Sequence, residues 1–149
     1  MADQLSHCRQ KAPGYHLAVL HRLSSAFLSP RMRALGLKRG WIAVLLEVLE
    51  RPGQSQDALC RRIKVDRAAT ARSLFELEHQ GYVIRREDAS DRRQKLVSPT
   101  AKTLDLAEEL FVVLTAHNQA LFKGFDHARR EEALEILAAM AANLESALS

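Results

Sequence analysis

The chain has little of what would make it secreted, membrane-embedded or catalytic. Only two of its 149 residues are cysteine, Cys8 and Cys60, too few for a disulfide framework. The opening Met1-Ala2-Asp3-Gln4 lacks the charged start and apolar run of a signal peptide, so a cytoplasmic location is expected. No apolar stretch approaches the ~18–20 residues that a membrane span needs, since even Trp41–Leu46 is interrupted at Glu47. No nucleophile, base and orienting group stand in a readable pattern, and no glycine-rich phosphate loop is present. Ser24-Ser25 has no companion signal, so no enzyme is expected and no cofactor is called for. Among six histidines no pair has strong ligand spacing: His16 and His21 are five apart and His7 adjoins Cys8. They read as surface or pocket residues, with no metal site expected. One Trp, two Tyr and five Phe are too few aromatics for a chain built mainly of strands, so helix should dominate.

What is present is an ordinary globular composition, 47% hydrophobic and 27% charged, in a length suited to one domain with a proper core. The formal net charge of +4 hides an asymmetry. Between Arg31 and Pro99 stand 15 Lys and Arg against 9 Asp and Glu, whereas the remainder carries 7 against 9. A basic middle between neutral or acidic ends is the distribution expected of a nucleic-acid-binding module. The cations concentrate at Arg85, Arg86, Arg92, Arg93 and Lys95. These surround the turn Asp88-Ala89-Ser90-Asp91-Arg92-Arg93, which lies between strand-like Val83–Glu87 and Gln94–Ser98. The segment reads as a charged hairpin tip with an anionic partner.

Helical spacing predicts a first helix from about Gly14 to Arg33, kinked or ended early by Pro30. A largely buried helix over Gly40–Leu49 stops at Arg51-Pro52-Gly53. Ser55 is a good N-cap for a short helix, Gln56 to Ile63, on whose inward side Cys60 reads as a core residue. Asp66 caps the next helix, which runs to Gln80 before Gly81. Two capped helices joined by Lys64-Val65 form a helix-turn-helix pattern. In projection the second helix gathers Thr70, Ala71, Leu74 and Leu77 on one side, with Ala68, Ala69, Arg72, Glu76 and His79 opposite. Its small, flat start suits a major groove, where Arg67 and Arg72 are natural donors to guanine; the competing reading of Arg72 is a surface pair with Glu76. Thr100 opens a long helix to about Lys123, and a last helix spans about Ala128 to Leu148. Their apolar stripes exceed what one small core uses, so a second copy is the expected cover.

This order of elements, with Asp91-Arg92-Arg93-Gln94-Lys95-Leu96-Val97-Ser98-Pro99-Thr100, resembles the MarR family of bacterial transcription regulators over roughly Tyr15 to Leu148. The matching stretches are Leu35-Gly36-Leu37, Arg51-Pro52-Gly53-Gln54-Ser55, Val65-Asp66-Arg67-Ala68, Leu77-Glu78 with Gly81, and Asp91, Arg93 and Val97 in the hairpin. The resemblance implies a mainly α fold with a small β wing: a winged helix-turn-helix at 38–99 inside a single domain, 1–149. Helices 14–33 and 100–148 would hold a homodimer on a pseudo-palindromic operator. Asp66–Ser73 would enter the major groove, placing Asp66, Arg67, Ala68, Ala69, Arg72 and Ser73 at the DNA. Arg93 would reach an adjacent minor groove, whose negative potential attracts arginine, with Asp91 as its brace. Ser55, Gln56, Arg92 and Lys95 are candidates for phosphate contacts. Departures from the family pattern are Ala69 and Ala71 in place of hydroxyl residues, Lys38 at the usual hydroxyl cap, and Pro99 at a strand end.

Members of that family often bind small aromatic or phenolic effectors, for which Tyr15, His16, Arg22, Trp41 and Phe111 could line a cleft. Core aromatics and solvated charges are the competing reading. The function expected is a repressor released from its operator by such an effector. Two alternatives stand beside it: a winged-helix protein-interaction module without operator binding, kept because of Ala69 and Ala71, and a redox-sensing regulator based on Cys8, whose neighbours His7 and Arg9 favour a thiolate.

Overall fold

The computed structural model describes residues 11–64, 66–91 and 93–148. Helix α1 spans Pro13–Ala34, and a 3-10 turn at Arg39–Trp41 leads into α2, Ile42–Glu50. A two-residue strand β1, Gln54–Ser55, precedes α3, Gln56–Ile63, and α4, Arg67–His79. Strands β2, Val83–Glu87, and β3, Lys95–Pro99, are followed by α5, Ala101–Leu121, and α6, His127–Ala147. The chain divides into one compact unit that ends at Leu114 and a second that begins at Thr115. No helix among the described residues is long and apolar enough to cross a membrane.

The expected caps form. Ser55 Oγ accepts from Ala58 N at 3.2 Å, and Asp66 Oδ2 accepts from Ala69 N at 2.9 Å, each satisfying a donor at a helix start. Between the two helices Lys64 takes the left-handed conformation, φ 50°, which lets the chain turn sharply.

Three expectations are corrected. Pro30 neither ends nor shortens α1, which continues to Ala34. Next to the missing donor, the Arg31 guanidinium bonds Phe27 O at 2.7 Å and lies 3.7 Å from the Phe27 ring centroid. Two residues on, Met32 is fully buried, and that packing favours keeping the helix. The helix ends instead at Leu35-Gly36, where Leu37 N bonds Met32 O at 2.8 Å. Gly36, at φ 71°, accepts from Tyr82 Oη, and an added Cβ there would meet that hydroxyl at 3.3 Å, so two constraints favour glycine.

The second correction is β1, invisible to hydrophobic pattern. It pairs antiparallel with β3, Gln54 opposite Val97 and Ser55 opposite Leu96, giving the order β1-β3-β2. Third, the return strand is shifted by one residue from the expected Gln94–Ser98. Pro99 lies opposite Val83 at its end, and Gln94 is used in the turn.

The core of the first unit gathers Met32, Leu37, Trp41, Leu45, Leu59, Leu74, Leu77, Val97 and Leu110 from every layer of that unit. Helix α4 contributes Thr70, Leu74 and Leu77 and leaves its other side in solvent. Leu74→Ala should therefore cost about 2–5 kcal/mol, the range for emptying a fully buried leucine site, whereas the neighbouring exposed Phe75→Ala should change stability by only about 0.5 kcal/mol. Urea denaturation of the two variants checks the assignment; comparable losses would contradict it.

Candidate nucleic-acid interface

The hairpin tip is ordered by its own carboxylates. Asp88 Oδ1 accepts from Ser90 N at 2.8 Å and from Ser90 Oγ at 2.7 Å. Asp91 accepts from Gln94 Nε2 at 3.2 Å, from Arg93 N at 3.1 Å and from Arg93 Nε at 3.2 Å. Those bonds, Gln94's foremost, hold the Asp91 carboxyl below its ordinary range. The Arg93 side chain remains 91% exposed, so the brace fixes its root and leaves the guanidinium largely in solvent. Arg92 lies outside the described residues.

The four arginines around the turn do not share one role. Arg85 points to the body of the protein: its guanidinium forms a two-pronged ion pair with Glu78 of α4, and Arg85 N also bonds Glu78 Oε1 at 3.3 Å. Its side chain is 17% exposed. The Arg85 bond is the main cause that lowers the Glu78 pKa. Arg85 thus ties β2 to the helix pair, while Arg86 and Arg93 stay exposed.

On α4, Ala68 and Arg72 are exposed, while Ala69 and Ser73 are half-buried, so the flat start is narrower than the projection implied. Arg67 is not a free donor: it pairs with Asp57 of α3 at 3.0 Å, with both side chains well exposed. An exposed pair of this kind is worth little, so a phosphate or base edge can compete for the guanidinium. The competing reading of Arg72, a surface pair with Glu76, does not hold. Glu76 Oε2 instead accepts from Lys38 Nζ at 2.8 Å and from Trp41 Nε1 at 3.0 Å.

Four predicted contact residues meet. Ser55 and Gln56 at the start of α3 and Arg93 and Lys95 of the hairpin line one concavity of about 240 Å³, together with Asp57 and Gln94. Cationic side chains thereby face a helix N-terminus, where backbone donors favour an anion. The strand pairing of β1 with β3 creates this juxtaposition, which is why sequence reading named the residues without bringing them together.

The five effector-cleft candidates are not among the residues lining that concavity. Trp41 is a correction: it is 5% exposed, bonded to Glu76 and packed 5.9 Å from the Tyr82 ring centroid, so it belongs to the core. Tyr15 and His16 meet edge to face on α1, Arg22 is exposed on the same helix, and Phe111 is 54% exposed on α5. Cys60 is buried, as expected, and Cys8 lies outside the described residues.

Sequence reasoning missed Glu76, Glu78, Lys38, Arg85 and Thr103 as the residues that hold α4. Thr100 Oγ1 donates to Gly81 O and Thr103 Oγ1 to Tyr82 O, while Lys102 Nζ donates to Gln80 O at 2.9 Å, so the start of α5 grips the end of α4. The available signal was Lys38 at a helix start, where a cation cannot cap.

A family model described as MarR family matches residues 35–94. The chain is similar to a MarR transcriptional regulator from Methanosarcina mazei Go1, at 27% identity over 89% of this chain and 96% of that one, TM-score 0.80. It is similar to the transcriptional regulator SlyA at 27% identity over 88% and 92%, TM-score 0.82. The transcriptional repressor CouR, bound to a 23-mer DNA duplex, matches at 25% identity over 89% and 94%, TM-score 0.79.

The Glu78 carboxyl, depressed in the folded state, contributes stability that is present above its ordinary value of 4.5 and lost as pH falls through its depressed value. Glu78→Gln should flatten the acid limb of the stability profile in that interval. Denaturation midpoints between pH 6 and about pH 3 check this; an unchanged acid slope would contradict the pairing.

Proposed function

We propose that the chain is a transcriptional regulator of the MarR type, to which its family-model match and its structural neighbours are similar, and that it acts as a homodimeric repressor. It binds a pseudo-palindromic operator and is released by a small-molecule effector. The observation that carries the DNA-contact reading is the pair of differently presented arginines. Arg72 is exposed beside the flat Ala68 on α4, and Arg93 is fixed at its root by Asp91 on the hairpin. Asp66–Ser73 reads base edges in the major groove and Arg93 enters the flanking minor groove. Ser55, Gln56, Arg92 and Lys95 meet phosphates, which set register without reading sequence.

The dimer reading is supported by apolar residues that the single chain leaves in solvent. Helix α6 buries none of its side chains, yet carries Leu134, Ile136, Leu137 and Leu144 at 44–62% exposure. On α1, Leu17, Leu20 and Leu23 are similarly exposed. A helix of this length gains its stability from packing one face, so a second copy supplies what the chain alone does not. Two copies place two α4 helices on half-sites about one DNA turn apart. A small aromatic or phenolic effector that favours a different spacing of those helices lowers operator affinity. Trp41, committed to the core, is no longer among the residues assigned to its cleft.

Fluorescence anisotropy with DNA from upstream of the chain's own gene tests the reading across a salt series. Arg72→Ala should cost about 1–3 kcal/mol on the cognate sequence, and Arg93→Ala should weaken binding and reduce the salt slope by about 1. Unchanged affinity for both variants would sink the assigned contacts, and flat salt dependence would favour a protein-binding module. Sedimentation of the wild-type chain should give a dimer, and Leu137→Asp should shift it to monomer; a wild-type monomer at micromolar concentration would refute the dimer.

A further inference from the structure

Arg72 differs from Arg67 on the same helix and from Arg93 on the hairpin, because its guanidinium makes no hydrogen bond or ion pair with a described residue. A carboxylate is nonetheless placed one turn away. Glu76 lies four residues on, the spacing at which an arginine and a glutamate meet across a helix surface. Arg72 is close enough to contribute to the depressed pKa of Glu76, but Lys38 and Trp41 contribute more.

We propose that Lys38 and Trp41 form a latch that occupies Glu76 and so leaves Arg72 free for DNA, which makes Lys38 a positioning residue of the interface. The proposal rests on α4 being the helix that contacts DNA. A buried indole N–H needs an acceptor, and Glu76 Oε2, 3.0 Å from Trp41 Nε1, is that acceptor. Because Trp41 is fixed in the core, it draws the carboxylate to one place. Lys38 Nζ then supplies the opposite charge at 2.8 Å and sits 5.2 Å from the Trp41 ring centroid, where the aromatic face favours a cation. This accounts for a lysine at the N-cap of the 3-10 turn, where it makes no side-chain cap bond. Without Lys38, Glu76 keeps one neutral donor and an uncompensated charge, and the cation one turn away is Arg72. A guanidinium turned to that carboxylate has fewer donors for a guanine edge, whose recognition uses two at once.

Two experiments test the latch, the first without DNA. The Glu76 carboxyl is titrated by NMR in the wild type, Lys38→Met, Arg72→Ala and the double variant. Arg72→Ala should leave the wild-type titration nearly unchanged, whereas in the Lys38→Met background it should raise the Glu76 midpoint further. An equal effect of Arg72→Ala in both backgrounds overturns the latch.

The second experiment measures DNA affinity. Lys38→Met should weaken binding about two- to fivefold, the scale of one exposed ion pair formed at the expense of a contact. In a Glu76→Gln background Lys38→Met should have no effect, since the amide does not capture Arg72. An equal loss in both backgrounds means that Lys38 touches DNA itself, and the proposal fails. A wild-type chain without salt-dependent DNA binding would remove the functional reading, while the titration still decides the latch.

Discussion

Glu78 takes Arg85 in a two-pronged ion pair, and Glu76, two residues earlier on the same helix, takes Lys38 and the Trp41 indole. Helix α4 buries only Thr70, Leu74 and Leu77, a narrow apolar side that fixes its depth in the core but holds its rotation loosely. The two carboxylates supply the missing constraint, one reaching the start of α2 and the other reaching β2. Every exposed group on α4, from Ala68 through Arg72, takes its direction from a helix held in this way. The Glu78 pair is partly buried, and both carboxylate oxygens are engaged by Arg85, Oε2 by the guanidinium and Oε1 by the backbone N–H, so it fixes direction as well as charge.

The end of α4 is held by a third set of contacts. Gln80, Gly81 and Tyr82 present carbonyls that are taken by Lys102, Thr100 and Thr103 at the start of α5. The Lys102 ammonium also lies 3.9 Å from the Tyr82 ring centroid, and the Tyr82 hydroxyl reaches back to Gly36 at the end of α1. One tyrosine thus connects the ends of α1 and α4 with the start of α5. A change in the direction of α5 has a direct physical route to α4 through these bonds, which is the linkage that an effector-responsive regulator requires.

What could be read in the sequence was what is local. The Ser55 and Asp66 caps and the hairpin of β2 and β3 join residues within a few positions, so spacing alone reveals them, and the Asp91 brace on Arg93, which the family resemblance implied, is equally local. Lys38 and Glu76 are 38 positions apart, and Arg85 was counted among outward cations because charge carries no direction in a sequence. β1 is two residues long, too short for any periodicity, and exists only because β3 is there to pair with it. Of the two effects expected of Pro30, ending α1 early does not occur: the helix runs on to Ala34 and buries Met32 just beyond the proline. For Trp41 the sequence left open a cleft aromatic or a core aromatic, and only the packing places it in the core.

The central claim is that α4 and the hairpin of each copy read adjacent grooves of one DNA duplex, with the two copies related by symmetry. Chemical footprinting of the complex with DNA upstream of the chain's own gene tests this most directly. The account predicts two patches of major-groove guanine N7 protection centred about 10–10.5 base pairs apart, each flanked outside by minor-groove protection. A single unpaired patch, or protection with no relation to the helical repeat, would contradict it.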